Sequence, residues 1–216
     1  MTGTAESAAM AAVYAATNLG ELADGYAGWA ETYEAETAAA GYRLPILCAA
    51  FFARHVPAGD GPAGDGPVLD AGCGTGLVGD CLRVLGYPSL TGIDLSEPML
   101  ALAARRGIYA GLHRMVLGEH LDFPDGHFAA VIASGVFTEG HASHTSFDEL
   151  IRVTRPGGKL VFSVRADIFE TRGFRQRQAE LESEGRWKLC EASETFRSFT
   201  VGEPDVLGRI FVYAAS

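Results

Sequence analysis

A glycine-rich stretch followed by an acid is the part of the sequence best suited to binding a nucleoside. The apolar run Val68–Leu69 continues into D-A-G-C-G-T-G, which predicts a strand, a turn and the start of a helix. Glycine lacks a Cβ, so such a turn bends sharply and lets a ligand approach the backbone. The first amides of the following helix then point outward as hydrogen-bond donors. Asp94 ends a second predicted strand, Leu90–Ile93, where a carboxylate can hold both hydroxyls of a ribose.

The spacing of the glycines separates two classes of nucleoside ligand. The dinucleotide pattern G-x-G-x-x-G would place its third glycine at position 77, which is Leu77, whereas the glycines here stand at 72, 74 and 76. With an acid in front of it, this string resembles motif I of the class I S-adenosylmethionine-dependent methyltransferases. The resemblance implies S-adenosylmethionine as the cofactor. It assigns cofactor contacts to Asp70, Gly72, Cys73, Gly74 and Asp94.

The same resemblance implies cofactor contacts beyond the glycine turn. In this family the residues just past the acid, here Leu95 and Met99, commonly flank the adenine. Gly118 and Glu119 follow a third predicted strand, 114–117, and are a longer relative of the family's Gly-Asp pair, which hydrogen-bonds the adenine amino group. Ser134 ends the fourth predicted strand, 129–134, and is a further predicted cofactor contact.

Three aromatic residues precede the glycine turn at helical spacing. Tyr26, Trp29 and Tyr33 are separated by three and four positions, which places their rings on one face of a helix. The spacing resembles the Y-x-x-W-x-x-x-Y element that forms a lid over the cofactor in many small-molecule methyltransferases. It is also the spacing of an ordinary core stripe. Both interpretations stay open from the sequence, and we predict the lid.

The loop after the fourth predicted strand is where a methyl acceptor is expected. Ligands of open parallel sheets bind beyond the carboxyl ends of the strands. Within this loop His141 is the best candidate for a general base, because its unperturbed pKa lies near 6.5. Glu139 is a second candidate, either as a base or as a carboxylate that orients the histidine. The alternative is that both are solvated loop residues.

The acceptor itself is predicted to be a small, partly apolar molecule. The candidate pocket wall is aromatic, with Tyr26, Trp29 and Phe137 among its residues, and such a lining suits a ligand that a few polar groups orient. Arg165, at the end of the fifth predicted strand, either holds an acidic substituent of the acceptor or pairs with a nearby acid.

The resemblance covers about residues 26–215 and implies an α/β fold. The turns P-D-G at 124–126 and P-G-G at 156–158 extend it beyond motif I. It implies a Rossmann-like, mostly parallel sheet of seven strands, the last antiparallel, with helices on both faces and an N-terminal helical cap. The segments 95–100 and 139–141 further suggest the small subgroup related to the Williams–Beuren-region methyltransferase.

The chain is predicted to divide at a repeated, proline-containing segment. A-G-D-G-P occurs twice in succession between residues 58 and 67, and glycine, proline and aspartate at this density favour a flexible linker. We therefore predict a helical cap or lid at 1–57, a linker at 58–67 and a methyltransferase core at 68–216.

Composition excludes several other classes of function. A net charge of -10 and a calculated pI near 5.0 argue against a nucleic-acid groove. The four cysteines are scattered and no metal site is predicted, which suits a reduced, cytoplasmic protein. No run of about eighteen apolar residues occurs, so no membrane association is expected. The oligomeric state stays open.

Two other functions share part of the pattern. A nicotinamide-dependent oxidoreductase uses the same strand, turn, helix and acid, although Leu77 and the long segment ahead of the first strand argue against it. A methyltransferase-like module that binds a ligand without catalysis is the second alternative.

Overall fold

The computed structural model describes residues 8–58, 66–201, 203 and 205–216. Most of the predicted linker, residues 59–65, lies outside these ranges. The helices within them are α1 (Ala8–Ala15), α2 (Leu19–Trp29), α3 (Tyr33–Ala39), α4 (Leu44–His55), α5 (Leu77–Val84), α6 (Glu97–Arg105), α7 (Ser146–Val153), α8 (Ala166–Thr171) and α9 (Phe174–Ser183).

The strands form one mixed sheet, and the predicted fold class is confirmed. They are β1 (Val68–Ala71), β2 (Leu90–Asp94), β3 (Tyr109–Arg114), β4 (Phe128–Phe137), β5 (Thr154–Arg165), β6 (Trp187–Ala192), β7 (Phe196–Arg197) and β8 (Leu207–Ala215). Their order is β3-β2-β1-β4-β5-β8-β6, with β1 to β5 parallel and β8 antiparallel to both of its neighbours. The two-residue strand β7 also pairs with β8, so the segment 187–197 is divided into two strands, β6 and β7. Ser193 lies between β6 and β7, and its hydroxyl oxygen accepts a hydrogen bond from the Ile210 amide at 2.9 Å.

Strand β3 lies earlier in the chain than the sequence predicts. It pairs with β2 through Tyr109–Arg114, whereas the predicted third strand is 114–117. The Tyr109 hydroxyl donates to the Asp70 carboxylate at 2.6 Å, which ties this end of β3 to β1 beneath the sheet's centre. Residues 115–117 therefore lie just beyond the carboxyl end of the strand, where ligands of parallel sheets bind.

The two faces of the sheet are covered by different helices. Side chains alternate between the faces, as strand geometry requires: Val161 packs beside α4 and α5 residues, whereas Phe162 packs beside α7 and α9 residues. Helix α4, the last helix of the predicted cap, packs on β4, β5 and β8. The boundary predicted at residue 57 stays a prediction.

The first three helices enclose a small apolar cluster of their own. Its buried members are Met10, Val13, Ala16, Leu22 and Trp29, and Leu95, just past the end of β2, packs against it. The N-terminal helices therefore rest on the edge of the sheet where the strands end.

Arg106 joins these helices to the glycine turn. Its guanidinium bonds Glu34 of α3 and Asp80 of α5, and its Nε donates to the Thr75 carbonyl at 2.5 Å. Within the described ranges, no helix has the length and apolar character needed to cross a lipid bilayer.

Candidate active site

The glycine turn is folded against β2 and leaves one glycine open to the cleft. The amides of Gly72 and Cys73 both donate to the Ile93 carbonyl, at 2.8 and 2.9 Å. Gly72 has a φ of 76°, and a Cβ there would stand 2.4 Å from Cγ2 of Val136. Gly74 has a φ of 53°, but a Cβ there would meet nothing within 4 Å. The turn therefore requires glycine at 72 for packing and at 74 for access to the backbone.

Asp94 is fixed by backbone amides at the end of β2. Its Oδ2 accepts from the Gly74 amide at 2.8 Å and its Oδ1 accepts from the Ser96 amide at 2.9 Å. Burial raises the pKa of this carboxyl above its usual range, and the backbone donors oppose that rise. Each carboxylate oxygen has two lone pairs, so the group can accept further hydrogen bonds from a ligand while it stays in place.

A cleft of about 730 Å³, here called the first chamber, opens beside the turn and Asp94. Of the predicted site residues, those in its lining are Tyr26, Tyr33, Gly72, Gly74, Asp94, Leu95, Met99, Ser134 and His141. Trp29, Asp70, Cys73, Gly118, Glu119 and Glu139 lie outside this lining. The structure thus brings most of the predicted residues together around one cavity.

Asp70 and Cys73 lie beneath the turn. Asp70 is fully buried; its Oδ2 accepts from Tyr109, and within the described part of the chain its Oδ1 has no hydrogen-bond partner. Burial raises the pKa of Asp70 to about 7. Burial likewise raises the pKa of the Cys73 thiol well above its usual value, which disfavours the thiolate that a nucleophilic cysteine needs. Their side chains support the turn from below, and a direct contact with a cofactor stays a prediction.

Gly118 and Glu119 stand apart from the chamber. Met115, Val116 and Leu117 line it in their place. The cause is the early end of β3, which moves the strand's carboxyl end from 117 to 114. In the sequence these three apolar residues are part of the predicted third strand, 114–117, and are therefore not recognised as residues that line a cavity. In this cavity the residues that face a ligand precede Gly118 and Glu119, and the adenine contact of that pair stays a prediction.

A second chamber of about 640 Å³ adjoins the first. Five residues line both chambers and form a shared wall: Tyr26, Tyr33, Tyr42, Gly135 and His141. Trp29, predicted as a cofactor contact, lines only the second chamber. The remaining lining is mixed, with apolar side chains such as Phe137 and Phe199 and polar ones such as Ser163 and Arg165.

An irregularity in β4 creates the space at the shared wall. The register with β5 shifts between Ala133 and Phe137, and Gly135 in between has a φ of 74°. The Gly135 amide donates to the Ser163 hydroxyl at 2.9 Å instead of continuing the strand ladder. A Cβ on Gly135 would stand 2.5 Å from the Tyr42 hydroxyl oxygen. Only glycine therefore allows Tyr42 to close the wall here.

His141 is held in one tautomer at the shared wall. Its Nδ1 lies 2.7 Å from the Glu139 carbonyl oxygen, which can only accept, so Nδ1 carries the proton. In the neutral ring Nε2 is then the acceptor for the Tyr26 hydroxyl, 2.7 Å away. Burial lowers the pKa of His141, and the charge of Arg165 lowers it further, against the carbonyl contact. The imidazole therefore stays neutral with its basic nitrogen toward the chambers.

Glu139 contributes its backbone and not its carboxylate. The carboxylate pairs with the Arg172 guanidinium at the surface, and neither chamber includes Glu139 in its lining. In the structure the Glu139 carbonyl, and not the carboxylate, contacts His141, and a part for the carboxylate in the reaction stays a prediction. The sequence does not show whether the carbonyl or the carboxylate of Glu139 faces His141, because this depends on the conformation of the loop backbone.

The three predicted cap aromatics cluster, although not on one helix. Helix α2 ends at Trp29 and α3 begins at Tyr33, with a turn between them. The ring centroids of Tyr26 and Trp29 lie 6.3 Å apart and those of Trp29 and Tyr33 lie 4.8 Å apart. The indole Nε1 of Trp29 donates to Glu36 at 2.8 Å. Tyr26 and Tyr33 line both chambers, as a lid would, whereas Trp29 is buried among the apolar residues of the N-terminal helices, as a core residue would be.

Other residues of the second chamber carried no sequence signal. Tyr42, Ser198, Phe199 and Gly208 come from segments that no motif distinguishes, and only the packing of β8 and the N-terminal helices brings them together. Within the described residues, the His, Cys, Asp and Glu side chains form no group of three or more that could hold a metal ion.

The first chamber fits S-adenosylmethionine on structural grounds. Gly74 offers backbone without a side chain in the way, and Asp94 can accept from ribose hydroxyls. Leu95, Met99 and Leu117 supply apolar surface for an adenine ring.

Comparisons with known proteins agree with this site. A family model described as a methyltransferase domain matches residues 69–162. Methyltransferase-like protein 27 of Homo sapiens is 33% identical over 181 residues, which cover 82% of this chain and 72% of that protein. Malonyl-[acyl-carrier protein] O-methyltransferase of Serratia marcescens is 37% identical over 101 residues, or 46% of this chain and 38% of that protein.

Solved structures share the fold at low sequence identity. A methyltransferase described as putative, in complex with the Haloferax volcanii Trm112 activator, superposes with a TM-score of 0.63 at 15% identity, covering 88% of this chain and 97% of that one. Geranyl diphosphate C-methyltransferase from Streptomyces coelicolor A3(2), in complex with Mg2+, geranyl diphosphate and S-adenosyl-L-homocysteine, gives 0.59 at 14% identity, covering 79% and 78%. The oxidoreductase alternative is therefore wrong, and the chain belongs to the class I S-adenosylmethionine-dependent methyltransferases, with S-adenosylmethionine as its methyl donor.

Proposed function

We propose that this methyltransferase modifies a small, partly apolar molecule bound in the second chamber. The observation that carries the proposal is the shared wall. Tyr26, Gly135 and His141 line the cofactor chamber and its neighbour alike. An acceptor in the second chamber and a donor in the first would therefore meet at these residues, with aromatic rings around the acceptor.

The cofactor would supply an activated methyl group for in-line displacement. The protein's part is then mainly to hold donor and acceptor in line, which in well-oriented model reactions lowers the barrier by about 7–11 kcal/mol. Gly72, Gly74 and Asp94 would hold the donor, while Tyr33 and Tyr42 exclude water from the junction.

His141 and Tyr26 would remove a proton where the acceptor carries one. Nε2 of His141 is basic and is hydrogen-bonded to the Tyr26 hydroxyl, so a proton taken from the acceptor can pass through the phenol to the imidazole. The Glu139 carbonyl would stabilise the imidazolium that results, because Nδ1–H already donates to it. The charge of Arg165 works against that cation, which keeps the base neutral before reaction.

The name of one relative supports a small acceptor. A Thermus thermophilus relative, 36% identical over 98 residues, is named for demethylmenaquinone, whereas the Serratia marcescens relative is named for malonyl-[acyl-carrier protein], in which a protein carries the acyl group. The Thermus thermophilus match covers 44% of each chain. A net charge of -10 on this chain also disfavours a polyanionic acceptor.

Transfer of a labelled methyl group would test the proposal. The protein is incubated with S-adenosylmethionine carrying a deuterated methyl group, together with either the small-molecule or the macromolecular fraction of a cell extract, and products in each fraction are identified by mass spectrometry. Labelled small molecules would support it. Tight S-adenosylhomocysteine binding with labelled tRNA, DNA or protein as the sole product would refute the small-molecule acceptor. Binding without any transfer would favour the non-catalytic alternative.

A further inference from the structure

We propose that the acceptor carries a carboxylate, and that Arg165 in the lining of the second chamber binds it as an anchor. This inference rests on the proposed function, since it names the chemical class of molecule that the second chamber takes. Arg165 ends β5, and it is part of that chamber's lining. It is absent from the lining of the first chamber.

Arg165 is the source of charge in this chamber. Among the described residues that line it, the others are neutral side chains or glycine, with His141 kept neutral by burial. The Arg165 side chain is only 24% exposed, so water screens its charge poorly. A positive charge in an aromatic cavity attracts one anionic group and leaves the rest of the ligand apolar.

The pairing of Arg165 with Asp167 does not remove this preference. Nη2 of Arg165 lies 2.8 Å from Oδ2 of Asp167, whose own side chain is 55% exposed. The other Asp167 oxygen accepts from the Ile168 amide at 2.9 Å, which fixes the aspartate on the solvent side. A guanidinium presents a planar set of five N–H donors that matches carboxylates. The Asp167 charge limits the total anionic charge that the site can hold, which favours a carboxylate over a phosphate.

The position of Arg165 makes the carboxylate an anchor and not the methylated group. The reacting atom must lie at the shared wall, next to Tyr26 and His141, because the donor chamber opens there. Arg165 lies outside that wall. The expected acceptor therefore has two ends: a carboxylate held by Arg165 and a second polar atom, such as a hydroxyl or amine, at the Tyr26–His141 pair. An apolar body, in contact with Phe137 and Phe199, connects them.

The experiment extends the labelling assay to a panel of aromatic and aliphatic hydroxy and amino acids, each paired with its own primary amide. Acids should be methylated at the second polar atom, with the carboxylate free in the product. Arg165→Gln should raise KM for the best acid by about 10- to 100-fold, as loss of a charged hydrogen bond predicts, and leave KM for the matching amide unchanged. Asp167→Asn should lower KM for the acid, because it removes the competing carboxylate.

Controls separate this role from a structural one. S-adenosylhomocysteine affinity should be the same in wild type and Arg165→Gln, and Arg175→Gln, which breaks the surface pair with Glu170, should change nothing. Amides that react as well as acids, an unchanged KM for the acid in Arg165→Gln, or a methyl ester as product would each overturn the anchor role while leaving the proposed function intact. A panel and extract that yield no labelled product refute the proposed function, and the inference falls with it.

Discussion

The two chambers are built in different ways. The first contains one local unit, in which the turn after β1 and the end of β2 hold each other through the Gly74 amide and Asp94. The second has no such unit among the residues that the structure describes. Its lining combines the N-terminal helices, the loop after β4, the end of β5 and the residues beside β8.

This difference separates groups that recognise the cofactor from side chains that can change with the acceptor. Backbone amides and a strand-end carboxylate recognise groups that every S-adenosylmethionine molecule has. Side chains from distant segments can be exchanged without disturbing the turn. The proposed donor site is therefore specified locally, and the proposed acceptor site is specified by how the N-terminal helices and the last strands pack onto the sheet.

Loss of the base at the shared wall should have the largest effect. His141→Ala should lower kcat for an acceptor that must lose a proton by about 10²–10⁴-fold, the usual contribution of a general base. S-adenosylhomocysteine affinity should stay nearly unchanged, since a base acts in the transition state. Steady-state kinetics and calorimetry measure the two quantities.

Glu139→Gln provides the matched control for the base. The Glu139 carboxylate faces Arg172 at the surface, and the carbonyl that orients His141 is retained in the variant, so kcat should be nearly that of the wild type. An equal loss of kcat in this variant would show that the carboxylate takes part. Full turnover in His141→Ala would show that alignment alone carries the reaction.

Removal of the carboxylate at the end of β2 should have the next largest effect, and this effect should be on cofactor affinity. Asp94→Ala removes the acceptor for the ribose hydroxyls, and each hydrogen bond to a charged group is worth about 1.5–3 kcal/mol. S-adenosylhomocysteine affinity should fall more than about tenfold. Because Asp94 also accepts the amides of Gly74 and Ser96, denaturant unfolding of the free protein must be measured alongside. Undiminished affinity would contradict the assignment of the first chamber.

Alanine at the two glycines should separate packing from access. Gly72→Ala drives a Cβ into Val136 and should lower the free energy of unfolding by about 1–3 kcal/mol. Gly74→Ala has open space for its Cβ, so it should lose less stability and more S-adenosylhomocysteine affinity. Thermal unfolding and calorimetry compare the two variants. A reversed order would mean that the cofactor approaches Gly72 and not Gly74.

The N-terminal helices should become more protected when the donor binds. Tyr26 and Tyr33 line the first chamber, so a bound ligand adds contacts to α2 and α3 and slows their local opening. Hydrogen exchange over residues 20–40 should slow in the presence of S-adenosylhomocysteine, while exchange in β8 should change little. Unchanged exchange in both segments would favour a plain core stripe over a lid.

The smallest expected effect is a shift in the pH dependence of kcat/KM. Burial lowers the pKa of His141, so the acid limb of kcat/KM should lie below pH 6.5, the ordinary value. The Tyr26 hydroxyl donates to the neutral ring and favours it, so Tyr26→Phe should raise this pKa and move the limb toward higher pH. Kinetics from pH 5 to 8 measure the position of the limb. Movement to lower pH would contradict the donor and acceptor assignment.

The sequence predicted the first chamber better than the second for a physical reason. Glycines with positive φ and an acid at a strand end leave a pattern within a few residues, so residue types and spacing are enough to identify Gly74 and Asp94. The early end of β3 leaves no such pattern, because apolar residues recur from 109 to 117 and pairing with β2 alone decides where the strand stops.

Orientation within loops was also beyond the sequence. His141 is identified by its residue type and its loop, but the role of the Glu139 carbonyl depends on a backbone turn that residue types do not encode. Tyr42 and Phe199 stack with centroids 4.8 Å apart although they are far apart in the chain. Only the assembled fold reveals such a pair.

One structural feature also bears on the kinetics of turnover. Tyr26, Tyr33 and Tyr42 line both chambers, so in the proposed arrangement the demethylated cofactor and the methylated product would leave past the same three rings. A single opening of the N-terminal helices then releases both. Where such openings are slow, release and not chemistry sets the steady-state rate. A burst of product in the first turnover, equal to the enzyme concentration, is the signature of this common exit.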